Sequence, residues 1–137
     1  MKRLGVIGGI GPLATVYFYN SLIELCKKKL NSNFPHIIIN NVETWEFVRT
    51  IGDKEKMTNF IIKKIREIEK SCDIIVIVCN TAHSVIEEIK KEIKTPIIEI
   101  HKEVVKKIKK SKVKKVGVLG TALTLQSKLY FKEFEEN

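Results

Sequence analysis

The stretch Asp73-Ile74-Ile75-Val76-Ile77-Val78-Cys79-Asn80-Thr81-Ala82-His83 decides the fold. The continuous apolar run Ile74–Val78 is typical of a central strand in a parallel sheet that is covered on both faces. The predicted strand, Asp73–Val78, stops at a polar turn, and the sequence predicts a helix from about Ser84 to Ile93. A strand, a turn and a helix in this order indicate one unit of an α/β fold.

The same pattern recurs on both sides of this stretch. Further strands are predicted over Arg3–Ile7, His36–Asn41, Ile97–Ile100 and Lys115–Leu119. Further helices are predicted over Pro12–Lys29, about Asp53–Lys70, about His101–Lys110 and from about Leu125 onward. Strands that alternate with helices through short turns predict an α/β fold, with a parallel, flavodoxin-like β-sheet sandwiched by helices.

Two glycine-ended segments repeat each other. Lys2-Arg3-Leu4-Gly5-Val6-Ile7-Gly8 is similar to Lys114-Lys115-Val116-Gly117-Val118-Leu119-Gly120, which indicates that a second unit begins near residue 113. We therefore expect an N-terminal α/β domain over residues 1–112. Residues 113–137 are expected to form the first strand and helix of an incomplete second α/β domain.

The composition fits a compact domain that needs no disulfide or metal for its stability. Of 137 residues, 44% are hydrophobic and 30% are charged, a balance that excludes a disordered chain. Apolar runs of about five residues are too short to cross a bilayer, and the N-terminus lacks the apolar region of a signal peptide. Three cysteines without CxxC spacing argue against a disulfide framework. We expect a soluble cytoplasmic protein without a membrane partner.

The net charge of +9 is concentrated in one stretch of the chain. Residues 90–115 hold eleven lysines against three glutamates and contain no Phe, Tyr or Trp. Nucleic-acid interfaces favour arginine and interleaved aromatic residues, yet only three of the 25 basic residues are arginine. The stretch is therefore interpreted as a solvated helix face with a connecting loop, and a nucleic-acid partner is not expected.

Ligands of an open α/β sheet bind at the carboxyl ends of its strands, and the first such end is Gly8-Gly9-Ile10-Gly11-Pro12. It does not fit the dinucleotide fingerprint, because its spacing differs and the second strand closes with Asn40-Asn41 rather than an acidic residue. Two interpretations stay open. The amides of residues such as Gly9 and Gly11 face a small anion at a helix N-terminus, or the loop is a tight turn without a ligand.

The third strand ends at Cys79, directly before the next helix. Amide dipoles at the start of a helix stabilise a thiolate, so this cysteine is expected to act as a nucleophile or a base. A buried structural cysteine is the alternative. Asn80 and Thr81 add an amide and a hydroxyl, which can hold a carboxylate. Cys26 and Cys72 are interpreted as packing residues.

His83 follows Cys79 by four residues. Three interpretations are possible: a Cys–His dyad, a metal ligand, or a residue that supports the turn from behind or caps the helix. His36 and His101 lie at other strand boundaries without ligand spacing, so no metal site is expected.

Three motifs occur in order along the chain: Gly8-Gly9-Ile10-Gly11-Pro12-Leu13-Ala14-Thr15, Cys79-Asn80-Thr81-Ala82-His83, and Gly120-Thr121…Thr124…Ser127…Tyr130. Together they resemble the aspartate/glutamate racemase family, and most closely its aspartate racemase branch. The motifs have the family's order and about its spacing, so the resemblance covers the whole chain.

The resemblance implies a racemase without a cofactor, built from two similar α/β domains with the active site in the cleft between them. Two cysteines, one from each domain, would face opposite sides of the substrate Cα, so that one removes the proton and the other returns it. The resemblance places Cys79 as the cysteine of the N-terminal domain. It places Asn80, Thr81 and Thr124, with the amides of Gly9–Gly11, around the substrate carboxylate, and it favours a homodimer.

Two features depart from the family's pattern. Many members have an arginine soon after the second strand that holds the side-chain carboxylate of the substrate, whereas Arg49 falls slightly later here. The family's second cysteine belongs to a strand end beyond residue 137, and neither Cys26 nor Cys72 matches it. We therefore expect the N-terminal domain and the start of the second domain, with one half of a two-base site.

The predicted function is the interconversion of L- and D-aspartate, or of a related acidic amino acid, by an isomerase in which Cys79 transfers a proton at Cα. One alternative is a truncated, non-catalytic homologue that binds a small anion or oligomerises. Another is a different enzyme of the superfamily, such as a maleate isomerase-like or hydantoin racemase-like protein.

Overall fold

The computed structural model describes residues 2–111 and 113–136. Its strands are β1 Leu4–Gly8, β2 Ile37–Asn41, β3 Ile74–Ile77 and β4 Ile97–Ile98. All strand pairs are parallel, and the order across the sheet is β2-β1-β3-β4. This is the strand order of a flavodoxin-like sheet, and it confirms the predicted α/β fold.

Helices connect the strands and cover the sheet. They are α1 Pro12–Lys29, α2 Thr44–Val48, α3 Lys54–Arg66, α4 Ile86–Glu92, α5 Ile100–Lys110, α6 Ala122–Gln126 and α7 Leu129–Glu136, with 3₁₀ helices over Glu69–Ser71 and Thr81–Val85. Pro12 begins α1, where a missing N–H leaves no hydrogen bond unmade. Asp53 caps α3 by accepting a hydrogen bond from the backbone N–H of Lys56. None of the described helices is both long and apolar enough to cross a bilayer.

The main hydrophobic core lies between the sheet and the helices α3 and α4. Ile75 and Ile77 of β3 belong to one buried cluster with Ile61 of α3. Because side chains alternate along a strand, Val76 faces the other way and lines an apolar groove with Phe18 of α1. Both faces of the sheet are thus occupied, and the carboxyl ends of its strands meet at one edge.

The predicted fifth strand, Lys115–Leu119, is wrong. Residues 115–120 pair with no strand in the described part of the chain, and Leu119 is fully exposed. The repeated sequence matches β1, but β1 lies between two hydrogen-bonding neighbours, β2 and β3. An apolar pattern alone cannot form a strand without such neighbours.

Three smaller predictions also differ from the structure. The last helix, predicted from Leu125, is two helices, because Lys128 between α6 and α7 has a positive φ of 54°. The strand predicted over Ile97–Ile100 is shorter, because α5 already begins at Ile100. The short helix α2 follows β2 where no helix was predicted.

The division of the chain after residue 112 stays a prediction. Lys112 at the proposed boundary and Asn137 at the end of the second unit lie outside the described residues. The segment that follows contacts the first unit, since α7 packs against α5 and α6 packs against the 3₁₀ helix Thr81–Val85. These contacts bring the third motif beside the second.

Gly9 is the glycine on which the first strand end depends. It has a φ of +83°, and a Cβ atom there would lie 2.2 Å from the carbonyl oxygen of Val42. Gly9→Ala is therefore expected to lower the free energy of unfolding by about 2 to 4 kcal/mol, because an L residue in this region costs about 1–2 kcal/mol and the backbone of Val42 must also shift. Urea unfolding measures the loss.

Gly52→Ala is the matched control. Gly52 has a φ of +97°, and no atom lies within 4 Å of the position of its Cβ. Only the conformational cost of about 1–2 kcal/mol is expected there. Equal losses in the two variants would contradict the close approach of Gly9 to Val42.

Candidate functional site

A cleft of about 290 Å³ lies at the carboxyl ends of β1 and β3. Part of its lining is apolar and comes from the first loop, from α1, from the residue that follows β3 and from the start of α5: Ile10, Ala14, Val78 and Ile100. The remaining side chains are polar or ionisable: Cys79, Asn80, Thr81, Thr121 and Thr124. The second and third sequence motifs therefore meet in one cavity, although only the second directly follows a strand.

The Cys79 thiol lies half-buried at the start of the 3₁₀ helix Thr81–Val85. The backbone N–H of Ala82 donates a hydrogen bond to its Sγ over 3.4 Å. Burial raises the pKa of the thiol, and hydrogen bonds from Ala82 and Thr81 offset this only in part. The backbone amides do favour the thiolate, as expected, but their effect on the pKa is smaller than that of burial. The balance of these effects favours the protonated thiol.

Three threonine hydroxyls lie beside the thiol. Oγ1 of Thr81 is 3.0 Å from Oγ1 of Thr121 and 3.4 Å from Oγ1 of Thr124. The Thr121 and Thr124 hydroxyl oxygens are also 3.0 Å apart. A hydroxyl can rotate and can donate or accept, so this cluster can turn O–H groups toward an incoming carboxylate.

Thr121 is a cleft residue that the sequence reasoning did not assign. Its hydroxyl caps α6 by accepting a hydrogen bond from the backbone N–H of Thr124. The signal was present in the Gly120-Thr121 turn of the third motif, because a threonine before a helix is a preferred cap. Thr81 and Thr124, which were predicted, are both buried in the cleft.

Asn80 lies in the lining of the cleft and remains exposed to solvent. The hydroxyl of Tyr130 on α7 donates a hydrogen bond to its Oδ1. The sequence motif included Tyr130, but no role was assigned to it.

His83 is fully buried behind the turn that carries Cys79. Its Nδ1 is 2.7 Å from the carbonyl oxygen of Cys79, and its Nε2 accepts a hydrogen bond from the backbone N–H of Ile100 over 3.3 Å. This pair of partners requires a proton on Nδ1 and none on Nε2. Both ring nitrogens thus contact backbone groups. Of the three interpretations, the geometry fits a histidine that supports the turn from behind, and it does not fit a Cys–His dyad or a metal ligand. Within residues 2–111 and 113–136, no group of three His, Cys, Asp or Glu residues is placed to hold a metal ion.

The glycine loop contributes less to the cleft than predicted. The N–H of Gly9 donates to Oγ1 of Thr15 over 2.9 Å, and its carbonyl accepts from Oγ1 of Thr44 over 2.7 Å. The amide of Gly9 is therefore not available to an anion, which corrects the expectation for this residue. Gly11 lies exposed before α1 and is not in the cleft lining.

The predicted arginine and the other cysteines lie outside the cleft. Arg49 is exposed at the end of α2, and no lysine or arginine is among the described residues that line the cavity. Cys26 and Cys72 are buried, which confirms that they are packing residues.

His83 makes the stability of the fold depend on pH. Burial lowers its pKa below the ordinary 6.5, and burial also lowers that of His101, against the opposing effect of Glu99. Below about pH 6.5 the unfolded chain therefore binds protons that the folded chain does not, and stability falls as the pH falls. We expect the unfolding temperature to decrease between about pH 7.5 and pH 5.5.

His83→Asn is expected to make this decrease shallower, because one of the two responsible imidazoles is gone. His36→Asn removes an exposed imidazole and is the matched control, with the slope of the wild type. A His83→Asn protein that keeps the full slope would contradict the proposed origin of the pH dependence.

The family model described as Asp/Glu/Hydantoin racemase matches residues 7–137 of the chain. Among curated proteins, the broad specificity amino-acid racemase RacX of Bacillus subtilis (strain 168) is 33% identical over 139 residues. That alignment covers 98% of this chain and 61% of RacX. The chain therefore spans about three-fifths of the length of this relative.

Solved structures agree with the sequence match. The crystal structure of an aspartate racemase homologue from Pyrococcus horikoshii OT3 superposes with a TM-score of 0.86 at 32% identity, over 99% of this chain and 61% of that one. The glutamate racemase from Aquifex pyrophilus superposes with a TM-score of 0.72 at 29% identity, over 98% of this chain and 51% of that one. The chain belongs to the Asp/Glu/Hydantoin racemase family.

Proposed function

We propose that this chain provides the Cys79 half of an amino-acid racemase site for aspartate or a related acidic amino acid. The observation that carries the proposal is that the Cys79 thiol lines the same cleft as the hydroxyls of Thr81, Thr121 and Thr124. Racemisation at Cα requires a group that exchanges a proton with carbon and donors that hold the carboxylate. This cleft has both.

Cys79 is the proposed acid and base. Its thiolate takes the proton from Cα and becomes a thiol, while the electron pair left on carbon spreads into the substrate carboxylate. Return of a proton from a thiol to the carbon completes the reaction, so no pyridoxal phosphate is needed. Because burial raises the pKa of Cys79, the thiolate is scarce at neutral pH but strongly basic once formed.

The donors for the α-carboxylate are the proposed second part of the mechanism. A carboxylate only accepts hydrogen bonds, and the hydroxyls of Thr81 and Thr124 and the amide of Asn80 lie in the cleft with the thiol. These hydrogen bonds strengthen as negative charge moves from Cα into the carboxylate. They would therefore stabilise the transition state more than the bound substrate.

The acidic substrate is inferred from the relatives. The solved neighbours are an aspartate racemase homologue and a glutamate racemase, whereas the Bacillus relative is a racemase of broad specificity. Arg49 does not line the cleft, so it would have to move toward the cavity to bind the side-chain carboxylate. The backbone amide of Gly11, which is exposed directly before α1, stays a proposed ligand of the substrate carboxylate.

A two-base reaction also needs an acid on the opposite face of Cα. Cys26 and Cys72 are buried and do not line the cleft. Since the chain spans 61% of the Bacillus relative, full racemisation is proposed for the whole protein. For this chain we propose proton exchange on one face of Cα.

A second candidate function is the binding of a small carboxylate without turnover. The observation that favours it is that Cys79 is the one thiol among the described residues of the cleft. This candidate and the racemase differ in a single respect: both bind the substrate, but only the racemase exchanges its α-proton.

Assembly and location are also part of the proposal. Leu13, Tyr17 and Trp45 expose large apolar side chains to solvent, which supports a homodimer that covers some of them. The three free cysteines support a reducing compartment, namely the cytoplasm.

Exchange of the α-proton of L- and D-aspartate in deuterated water tests the proposal. Proton NMR follows loss of the Cα–H signal of each enantiomer. We expect the wild type to exchange the α-proton of one enantiomer only, because a single thiol faces one side of Cα, and at a rate that rises with pH as the thiolate forms. Cys79→Ala is expected to lower the rate at least about 100-fold, because it removes the base.

Cys26→Ala is the matched control, since it removes a buried cysteine that does not line the cleft and should keep the wild-type rate. Exchange in Cys79→Ala at the wild-type rate would reject the role of Cys79. Binding of aspartate to the wild type with no exchange at any pH would favour the binding function instead.

A further inference from the structure

We propose that Tyr130 is a positioning residue whose hydroxyl holds the Asn80 carboxamide so that its NH₂ group serves the substrate carboxylate. The inference rests on the proposed function and adds to it a side chain from outside the cleft lining. It explains why the third motif, which supplies Thr121 and Thr124, extends as far as α7.

The hydrogen bond from Tyr130 decides which end of the Asn80 carboxamide is available to a ligand. The hydroxyl of Tyr130 donates to Oδ1 of Asn80, a residue 50 positions away in the sequence. A carboxamide has an acceptor oxygen and a donor NH₂ group, and an exposed one can turn either toward a ligand. An oxygen facing a carboxylate would repel it. Because Tyr130 engages the oxygen, the NH₂ group is the end left for a ligand.

The ring of Tyr130 rests on the same scaffold that supports Cys79. It packs edge-on against His101, with ring centres 6.4 Å apart. His101 in turn packs edge-on against His83, with ring centres 5.9 Å apart, and His83 is bonded to the carbonyl oxygen of Cys79. Through these contacts the Tyr130 ring and the Cys79 turn are held on one support. The Asn80 amide that donates to the carboxylate and the proposed base Cys79 therefore keep a fixed spacing.

Burial keeps Tyr130 in the donating form. Burial raises the pKa of its hydroxyl, which therefore retains its proton at neutral pH. Nε2 of His101 lies 3.4 Å from Oε2 of the buried Glu99. Tyr17 and Tyr19, by contrast, are exposed on α1.

Tyr130→Phe removes the hydroxyl and keeps the ring against His101. The first measurement needs no ligand: ¹⁵N relaxation of the Asn80 side-chain amide in the whole chain. We expect its order parameter to fall in Tyr130→Phe and to keep the wild-type value in Tyr19→Phe, the matched control that loses an exposed hydroxyl. A value unchanged in Tyr130→Phe would overturn the inference.

The second measurement is the affinity for L- and D-aspartate by calorimetric titration. Tyr130→Phe is expected to weaken binding about five- to tenfold, the usual effect of one hydrogen bond, without a change in unfolding temperature. In an Asn80→Ala background the same substitution should have no further effect, because Tyr130 acts through Asn80. A merely structural role would give additive losses.

The outcomes separate this inference from the proposed function. Equal aspartate affinity in wild type and Tyr130→Phe, or additive losses in the double variant, overturns the role of Tyr130 alone. If the wild type itself binds neither enantiomer, the proposed function fails, and the role of Tyr130 toward the substrate fails with it.

Discussion

The two hydrogen bonds of the His83 imidazole hold the site together. One ring nitrogen lies 2.7 Å from the carbonyl oxygen of Cys79, at the end of β3, and the other accepts from the backbone N–H of Ile100, where α5 begins. The ring is fully buried, so loss of either bond would leave a polar group without water. The turn that carries Cys79 is thereby tied to α5, against which α7 packs. The thiol and the third motif depend on this one neutral side chain.

Much of the arrangement follows from local patterns. The apolar run Ile74–Val78 requires a strand covered on both faces, and the polar turn after it must lie at the edge of the sheet where ligands bind. Cys79, Asn80 and Thr81 could therefore be placed from the sequence. Thr124 could be placed in the same cleft only through the resemblance to a family, because no local pattern brings the second and third motifs together.

Other features depend on contacts that the sequence does not display. Lys115–Leu119 has the apolar pattern of a strand but pairs with no strand among the described residues. The strand predicted from this pattern is therefore wrong. The pKa of Cys79 depends on how deeply the thiol is buried, and burial outweighs the amides of a five-residue 3₁₀ helix. The N–H of Gly9 donates to the hydroxyl of Thr15, and the glycine motif alone does not predict this partner.

The central claim is that Cys79 and the groups that donate hydrogen bonds to the substrate carboxylate form one binding site. It is tested most directly by the rate at which iodoacetamide alkylates Cys79 at alkaline pH, followed by mass spectrometry of the Cys79 peptide. Saturating L- or D-aspartate is predicted to slow the alkylation strongly, whereas ethanolamine, an amine without a carboxylate, should leave the rate unchanged at equal ionic strength. An alkylation rate that aspartate does not alter would contradict the claim.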